Sequence, residues 1–147
     1  MSSFDLYEQN AVNALDVSGS ALAANRVRMN TIANNIANVD TTRNEKGFRE
    51  IYRRKEVLLK TGNPAETGDR KYGVEVLKVL GDKSAFRKIH QPDHPDADEN
   101  GYVLLPNVRM PLEMIDMMES ARSYEANLQV IKQARAMVAS VIDLLRT

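Results

Sequence analysis

The sequence has 147 residues, and its 20 basic and 20 acidic residues cancel to a formal net charge of zero. This length corresponds to one domain, and the balanced charge argues against nucleic acid as the main partner, because phosphate binding needs a basic surplus. The absence of cysteine excludes disulfides, thiol catalysis and Cys-ligated zinc.

Residues 1–42 are predicted to form an N-terminal helical segment. Four apolar residues recur there every seven positions, at Leu15, Leu22, Met29 and Ile36, which is the spacing of a coiled-coil seam. Frequent alanines keep the helix slim enough for close packing. Gly19 lies inside the pattern and costs about 1 kcal/mol relative to Ala, so it is a candidate break between a short first helix and a longer second one.

The start of this segment is acidic, with no lysine or arginine before Arg26. A Sec-type signal peptide needs a basic region followed by a long apolar stretch, and we expect none here. No apolar run is long enough to span a membrane, so we expect no membrane insertion.

The predicted helix has asparagines on its last two turns, at Asn34, Asn35 and Asn38. Asparagine is a poor helix former, because its amide competes with the backbone for hydrogen bonds. Two interpretations are open. The amides either cap a frayed helix end in water, or bridge to backbone groups of adjacent subunits, since each amide carries donors and acceptors.

Residues 43–109 are predicted to form a small central β-rich region. The stretch "TTRNEKG" has loop composition, and strands are expected within 48–59, 74–82 and 102–108. The connections 62–73 and 91–101 are rich in Gly, Pro and Asp, which is typical of turns.

Residues 110–147 are predicted to form a C-terminal helix, with Pro111 in the first turn, where its missing N–H is no loss. Two stripes at heptad spacing define a seam. One consists of Met117, Tyr124, Ile131, Val138 and Leu145, and the other of Met114, Ala121, Leu128 and Ile142.

The two terminal segments carry the heptad seams of the chain, and a seam requires a partner helix. We therefore expect an α+β fold in which the N- and C-terminal helices form an antiparallel coiled-coil hairpin, with the small central β region at its far end. Two helices bury one stripe against each other. The apolar surface that remains must be covered by other molecules, which indicates an assembly subunit.

The stretch "HQPDHPDADEN" offers potential metal ligands, namely His90, Asp93, His94, Asp96, Asp98 and Glu99. The two histidines would share one face only on a helix, which Pro92 and Pro95 exclude. The pattern also matches the opening of an EF-hand loop, but its twelfth position is Asn107 where a Glu is needed. We predict a solvated turn with no metal and no cofactor.

Catalytic signatures are absent from the sequence: it has no phosphate-binding glycine loop, nucleophile elbow or dinucleotide fingerprint. The basic run at 43–56 is interleaved with acids and is typical of a charged strand edge. We predict that the protein is not an enzyme.

The stretch "LAANRVRMNTIANNIANVDTT" resembles the N-terminal signature of the bacterial flagellar rod and hook proteins. The resemblance is carried by Leu22, Ala24, Arg28, Met29, Ala33, Asn35, Ala37, Asn38 and Thr41, with the pair Gly47 and Phe48 after them. Phe48 stands where the family commonly has Tyr.

Two further stretches add to this resemblance. "EMIDMMESARSYEANLQVIK" is similar to the family's C-terminal motif, through Glu113, Met114, Arg122, Tyr124 and Asn127. "HPDADENGYVLLPNV" is similar to the segment that distinguishes the proximal-rod members from their paralogues.

The resemblance implies a structural subunit of the proximal rod of the flagellar basal body, the axial driveshaft that crosses the periplasm and transmits motor torque. It implies export by the flagellar type III apparatus after synthesis in the cytoplasm, without signal cleavage. Its partners would be other rod proteins and further copies of itself, joined by packing of the terminal helices.

The expected subunit contacts fall on the two terminal segments. In the first they are Leu22, Arg28, Met29, Asn34, Asn35, Ile36 and Asn38. In the second they are Met114, Met117, Tyr124, Asn127, Leu128, Ile131 and Val138. Two alternatives share parts of this pattern: a cytosolic coiled-coil adaptor, and a small metal-binding module at the acidic turn.

Overall fold

The computed structural model describes residues 3–44, 46–62 and 73–145, with side chains described between residues 13 and 143 of those ranges. The elements in chain order are α1 (Ser3–Ala37), β1 (Lys55–Gly62), β2 (Gly73–Gly81), β3 (Arg87–His90), β4 (Tyr102–Leu105) and α2 (Met110–Leu145). The predicted α+β composition is confirmed. The turn-rich connection predicted for 62–73 lies almost wholly outside the described residues.

Helix α1 runs without interruption from Ser3 to Ala37, so the candidate break at Gly19 was wrong. The helix ends five residues before the predicted boundary at 42. The amide of Asn38 terminates it, since Nδ2 donates to the carbonyl oxygen of Asn34 at 2.8 Å and Oδ1 accepts from the hydroxyl of Thr41 at 3.1 Å. For Asn38 the structure of the single chain therefore agrees with the capping interpretation.

Helix α2 begins at Met110, which places Pro111 in the first turn as predicted, and it packs against α1. The predicted stripe of Met117, Tyr124 and Ile131 is half-buried. The second stripe lies one residue earlier than predicted: it consists of Glu113, Ser120, Asn127 and Ala134, three of them buried. Serine and alanine are small, so the two helices can approach closely at this stripe.

The strands form two separate antiparallel hairpins, β1 with β2 and β3 with β4. Strand β1 begins at Lys55, seven residues later than predicted, and β3 was missed because it is only four residues long. The β1–β2 ladder is irregular between Leu58 and Leu59, and the register leaves Leu77 without a partner. A β-bulge of this kind bends the strand and re-aims a side chain.

The β1–β2 hairpin lies on α1. The backbone amide of Val74 donates to the hydroxyl of Ser20 at 3.0 Å. Gly73 makes the close approach possible, because a Cβ at this position would lie 2.4 Å from the Ser20 oxygen.

The interior is small, and much of it is polar. Its buried apolar side chains include Ile32, Val103, Leu105 and Val108, but the fully buried set also contains Asn35 and Glu113. No helix in the described part of the chain has the apolar character that crossing a membrane requires. Buried polar residues such as Asn35 and Glu113 are therefore part of what holds the fold together.

Candidate functional site

The side chain of Asn35 is fully buried and joins three parts of the chain. Its Oδ1 accepts from the backbone amide of Lys55 at 2.9 Å and from the hydroxyl of Tyr52 at 3.0 Å. Its Nδ2 donates to the Lys55 carbonyl at 2.9 Å and to Oε2 of Glu113 at 3.0 Å. An amide has two donors and two acceptor positions, so all four are used. Burial, and then the charge of Glu113, raise the pKa of Tyr52, which keeps its hydroxyl protonated as a donor.

Glu113, in the first turn of α2, is also fully buried, and its charge is paired. Its Oε1 accepts from Nε of Arg54 at 2.5 Å. Arg54 also pairs with Glu56 and, at 3.6 Å, with Asp82 and Asp116. Burial by itself lowers the pKa of Arg54, but the hydrogen bonds and charges of Glu113 and Glu56 raise it above its usual value. The guanidinium thus neutralises a carboxylate that would be costly to bury alone.

Asn107, which follows β4, connects the β3–β4 hairpin to this group of hydrogen bonds. Its Oδ1 accepts from the backbone amide of Arg54 at 2.8 Å, and its Nδ2 donates to the hydroxyl of Ser84 at 2.8 Å. We call Asn35, Tyr52, Arg54, Asn107 and Glu113 the polar junction. It holds the end of α1, the start of β1, the segment after β4 and the start of α2 together, and it can do so only when all four segments have folded.

The acidic turn at residues 91–101, which was considered as a metal site, makes hydrogen bonds that hold segments of the chain together. The buried carboxylate of Asp96 accepts from the hydroxyl of Thr42 at 2.7 Å and from the guanidinium of Arg43 at 2.5 Å. Its backbone amide donates to Nδ1 of His94 at 3.1 Å. No group of three or more acidic or histidine side chains in the described ranges is arranged to hold a metal ion. The turn ties the β3–β4 connection to the segment that follows α1.

The stability of the fold is expected to fall when the pH drops below the ordinary carboxyl range. Hydrogen bonds from Arg43 and Thr42 lower the pKa of Asp96. A carboxyl with a lowered folded-state pKa stabilises the fold above the unfolded-state pKa of about 3.9, and this contribution is lost as the pH falls through the folded-state value. Urea unfolding at neutral and acidic pH measures the loss.

Asp96→Asn is expected to flatten this pH dependence, and Asp93→Asn, an exposed carboxyl in the same turn, is the matched control. A pH dependence that Asp96→Asn leaves unchanged would contradict the assignment.

Replacing both histidines of the turn, His90→Ala with His94→Ala, is expected to leave assembly unchanged. The ring of His90 packs edge-on against Tyr102 with centroids 5.0 Å apart, and the ring of His94 accepts one hydrogen bond, from the backbone amide of Asp96. Calorimetric titration of the unmodified chain with calcium or zinc is the companion measurement. A metal-dependent loss of assembly in the double variant would show that the turn is a metal site.

Large apolar side chains are exposed along α2, on more than one side of the helix. By the helical repeat, Ile115 and Met118 lie opposite Glu113. Val141 follows Ala134 at heptad spacing and therefore lies on the same side as Glu113. We call the set the exposed apolar residues of α2; it consists of Leu112, Ile115, Met118, Val130, Met137 and Val141. Each is at least 41% exposed. Exposed apolar patches of this extent mark interaction sites.

The residues expected at subunit contacts divide into three groups. Exposed are Asn34, Met114, Leu128 and Val138. Half-buried are Leu22, Arg28, Met29, Ile36, Asn38, Met117, Tyr124, Asn127 and Ile131. Asn35 is fully buried, with its hydrogen bonds used inside the chain, an intramolecular role that the sequence did not reveal. The contribution of the other residues to subunit contacts stays a prediction.

Sequence reasoning missed the rest of the polar junction. Tyr52, Arg54 and Asn107 were assigned to strands, and Asn107 was noted only as the position where an EF-hand loop needs Glu. Glu113 entered only as part of a resemblance. Asn35 and Glu113 are 78 positions apart, and no local pattern reports such a pairing. The sequence did contain one signal: Asn35 places an amide next to a heptad position near the end of α1.

Comparisons with known proteins match both terminal segments. The family described as "Flagella basal body rod protein" matches residues 15–43, and the family described as "Flagellar basal body rod FlgEFG protein C-terminal" matches residues 99–144. These ranges include Asn35 and Glu113.

Curated relatives match over most of their length. The flagellar basal-body rod protein FlgC of Bacillus subtilis is 38% identical over 91% of this chain and 97% of that protein. The protein of the same name from Agrobacterium fabrum is 43% identical over 90% of this chain and 94% of its own length. That of Salmonella typhimurium is 36% identical, over 90% and 96%.

Proposed function

Because the chain belongs to the family of flagellar basal-body rod proteins, we propose that helices α1 and α2 build it into the rod by packing against those of neighbouring subunits. The protein is a structural subunit of the basal-body rod and not an enzyme. It assembles with other components of that rod. The finer proposal concerns which surfaces make these contacts and where in the rod the subunit lies.

The observation that carries the proposal is the set of exposed apolar residues of α2. Each of the six side chains is at least 41% exposed in the single chain. Burying half of such a side chain gains roughly 1 kcal/mol, so neighbouring helices that cover the set would gain several kcal/mol per subunit before the cost of association. The six residues extend along most of α2 and over more than one side of it, which suits packing against more than one neighbouring helix.

We also propose that α1 and α2 form an antiparallel coiled-coil hairpin as the rod core, made of residues 1–42 and 110–147. The Asn35–Glu113 hydrogen bond joins the end of α1 to the start of α2, and the two helices pack against each other. Both features support an antiparallel pair. The β-rich region 43–109 would then lie outside the core, at one end of the hairpin.

The remaining proposals concern location and route. The similarity to FlgC proteins supports a place in the proximal rod, where the subunit would transmit motor torque through its packed helices across the periplasm. Export by the flagellar type III apparatus without signal cleavage accords with the acidic start of the sequence. A helical hairpin that is only marginally stable by itself would keep the monomer threadable.

Mass spectrometry of purified hook–basal bodies from the source organism tests the proposal. We expect the chain in these particles with its acidic N-terminus uncleaved. Recovery only from the soluble cytoplasmic fraction would contradict the rod assignment and favour a cytosolic adaptor. Recovery in a cleaved form would overturn the proposed export route alone.

A further inference from the structure

A cleft of about 620 Å³ lies between the segment that follows α1 and the end of strand β2. Its lining includes apolar groups: Ile51 and Tyr52 are half-buried, while Val79 and Leu80 are 41% and 42% exposed. Side chains of this kind on an open surface favour a partner that brings apolar groups of its own.

The lining of the cleft also carries a surplus of positive charge. Three cations line it, Arg43, Arg53 and Lys55, against the single carboxylate of Glu50. Arg43 is neutralised by Asp96, and Arg53 lies over the ring of Phe86 at 4.4 Å.

Among these three cations, Lys55 is the one that is available to a partner. Its Nζ is 5.6 Å from the centre of the Tyr52 ring, and no carboxylate within the described residues forms an ion pair with it. The cleft therefore suits a segment that is both apolar and acidic.

Such a segment exists in the chain itself, near the start of α1. Residues 4–16 contain Phe4, Leu6, Tyr7, Val12 and Leu15, together with Asp5, Glu8 and Asp16, and no basic residue precedes Arg26. We propose that the cleft binds this acidic stretch of α1 from a second copy of the chain. The inference deepens the proposed rod function, on which it rests, by naming one contact between copies.

The occupant must come from another copy because of the length of α1. The cleft lies at the C-terminal end of the helix, beside Asn38 and Thr41, and α1 is continuous from Ser3 to Ala37. At 1.5 Å per residue, residue 8 lies about 45 Å from residue 38 of the same chain. A contact between the two ends is heterologous, and it joins copies head to tail rather than in a closed pair.

The size of the cleft agrees with a helical occupant. One turn of a helix with its side chains fills a cylinder of roughly 420–610 Å³, close to the volume of the cleft. An amphipathic helix that lays its apolar side into a groove is a recurring mode of recognition. The acidic residues of the occupant would then lie near Lys55, which has no ion-pair partner in the described part of the chain.

Disulfide trapping tests the proposal directly, since the chain has no cysteine of its own. Purified full-length Leu80→Cys is mixed with each of four single variants, Asp5→Cys, Leu6→Cys, Tyr7→Cys and Glu8→Cys, and oxidised. Four successive positions cover one helical turn, so one of them faces the cleft in any orientation. Leu104→Cys, exposed on β4 and outside the cleft lining, replaces Leu80→Cys in the control.

We expect a mixed dimer with Leu80→Cys at one or two of the four positions, several-fold above the Leu104→Cys control. Its yield should fall with added salt and with Lys55→Glu in the Leu80→Cys chain, because the attraction is between charges. Yields equal to the control at all four positions would overturn the proposal, as would a yield that salt and Lys55→Glu do not change.

The same variants in cells separate this inference from the function on which it rests. A trapped product in purified basal bodies is expected at twice the mass of the chain. A product with a protein of another mass would show that a different rod subunit occupies the cleft. Incorporation of the chain without any product at these positions would remove the cleft contact and leave the rod function standing.

Discussion

Asn35→Ala is expected to lower the free energy of unfolding by about 3–4 kcal/mol, the largest loss from one substitution in α1. The side chain makes four hydrogen bonds at full burial, and alanine makes none. The groups left behind include the Lys55 amide and carbonyl and one carboxylate oxygen of Glu113. Each unsatisfied buried group costs about 1–3 kcal/mol, and water entering the space left by the amide would offset part of the sum.

Asn34→Ala is the matched control, since Asn34 is the preceding residue, has the same side chain and is exposed. It is expected to change stability by less than about 0.5 kcal/mol. Urea unfolding followed by circular dichroism measures both variants. Equal effects would show that the amide at 35 contributes nothing specific and that the polar junction is not a centre of stability.

The difference also bears on assembly. Native domains are stable by only about 5–15 kcal/mol, so the loss at Asn35 removes a large part of what holds the four segments together. We expect Asn35→Ala to reduce incorporation into basal bodies by weakening the monomer, while Asn34→Ala incorporates normally. Loss of incorporation in Asn34→Ala with unchanged stability would instead assign that residue to a subunit contact.

Local sequence patterns predicted the helices well, for a physical reason. The start of α2 and the position of Pro111 in its first turn depend on neighbours within one or two turns, and the structure confirms both. The end of α1 was placed too late, because the apolar pattern continues through Val39 while the capping by Asn38 ends the helix. Periodicity records which side is apolar, but it does not record where side chains compete for backbone hydrogen bonds.

The polar junction could not be predicted in the same way. Its contacts join α1, the start of β1, the segment after β4 and the start of α2, so they depend on tertiary packing. The seam of α2 shows the same limit. Met114 and Leu128 have the same heptad spacing as Glu113 and Asn127. Which of the two stripes is buried depends on the side chains of α1 that pack against α2. Hydrophobicity alone favoured the stripe that the structure leaves exposed.

Leu128→Asp is expected to abolish incorporation into the rod while leaving expression and folding intact. Leu128 is 36% exposed on α2, so a charge there can remain in water in the monomer. In an assembled rod the same charge would be buried against an apolar neighbour, at a cost of several kcal/mol. Ile131→Asp should also abolish incorporation, but it should destabilise the monomer too, because Ile131 is half-buried on the side of α2 that faces α1.

Gln129→Asp, which places the same side chain on an exposed polar position next to Leu128, is the control and should incorporate normally. Swarming motility, the amount of chain in purified basal bodies and urea unfolding are measured for all three variants. The decisive comparison is between Leu128→Asp and Ile131→Asp, since an assembly defect without a stability defect can arise only at a surface that neighbours cover. Normal motility of Leu128→Asp at normal expression would show that neighbours do not pack on this side of α2, and the rod core would have to be built from another surface.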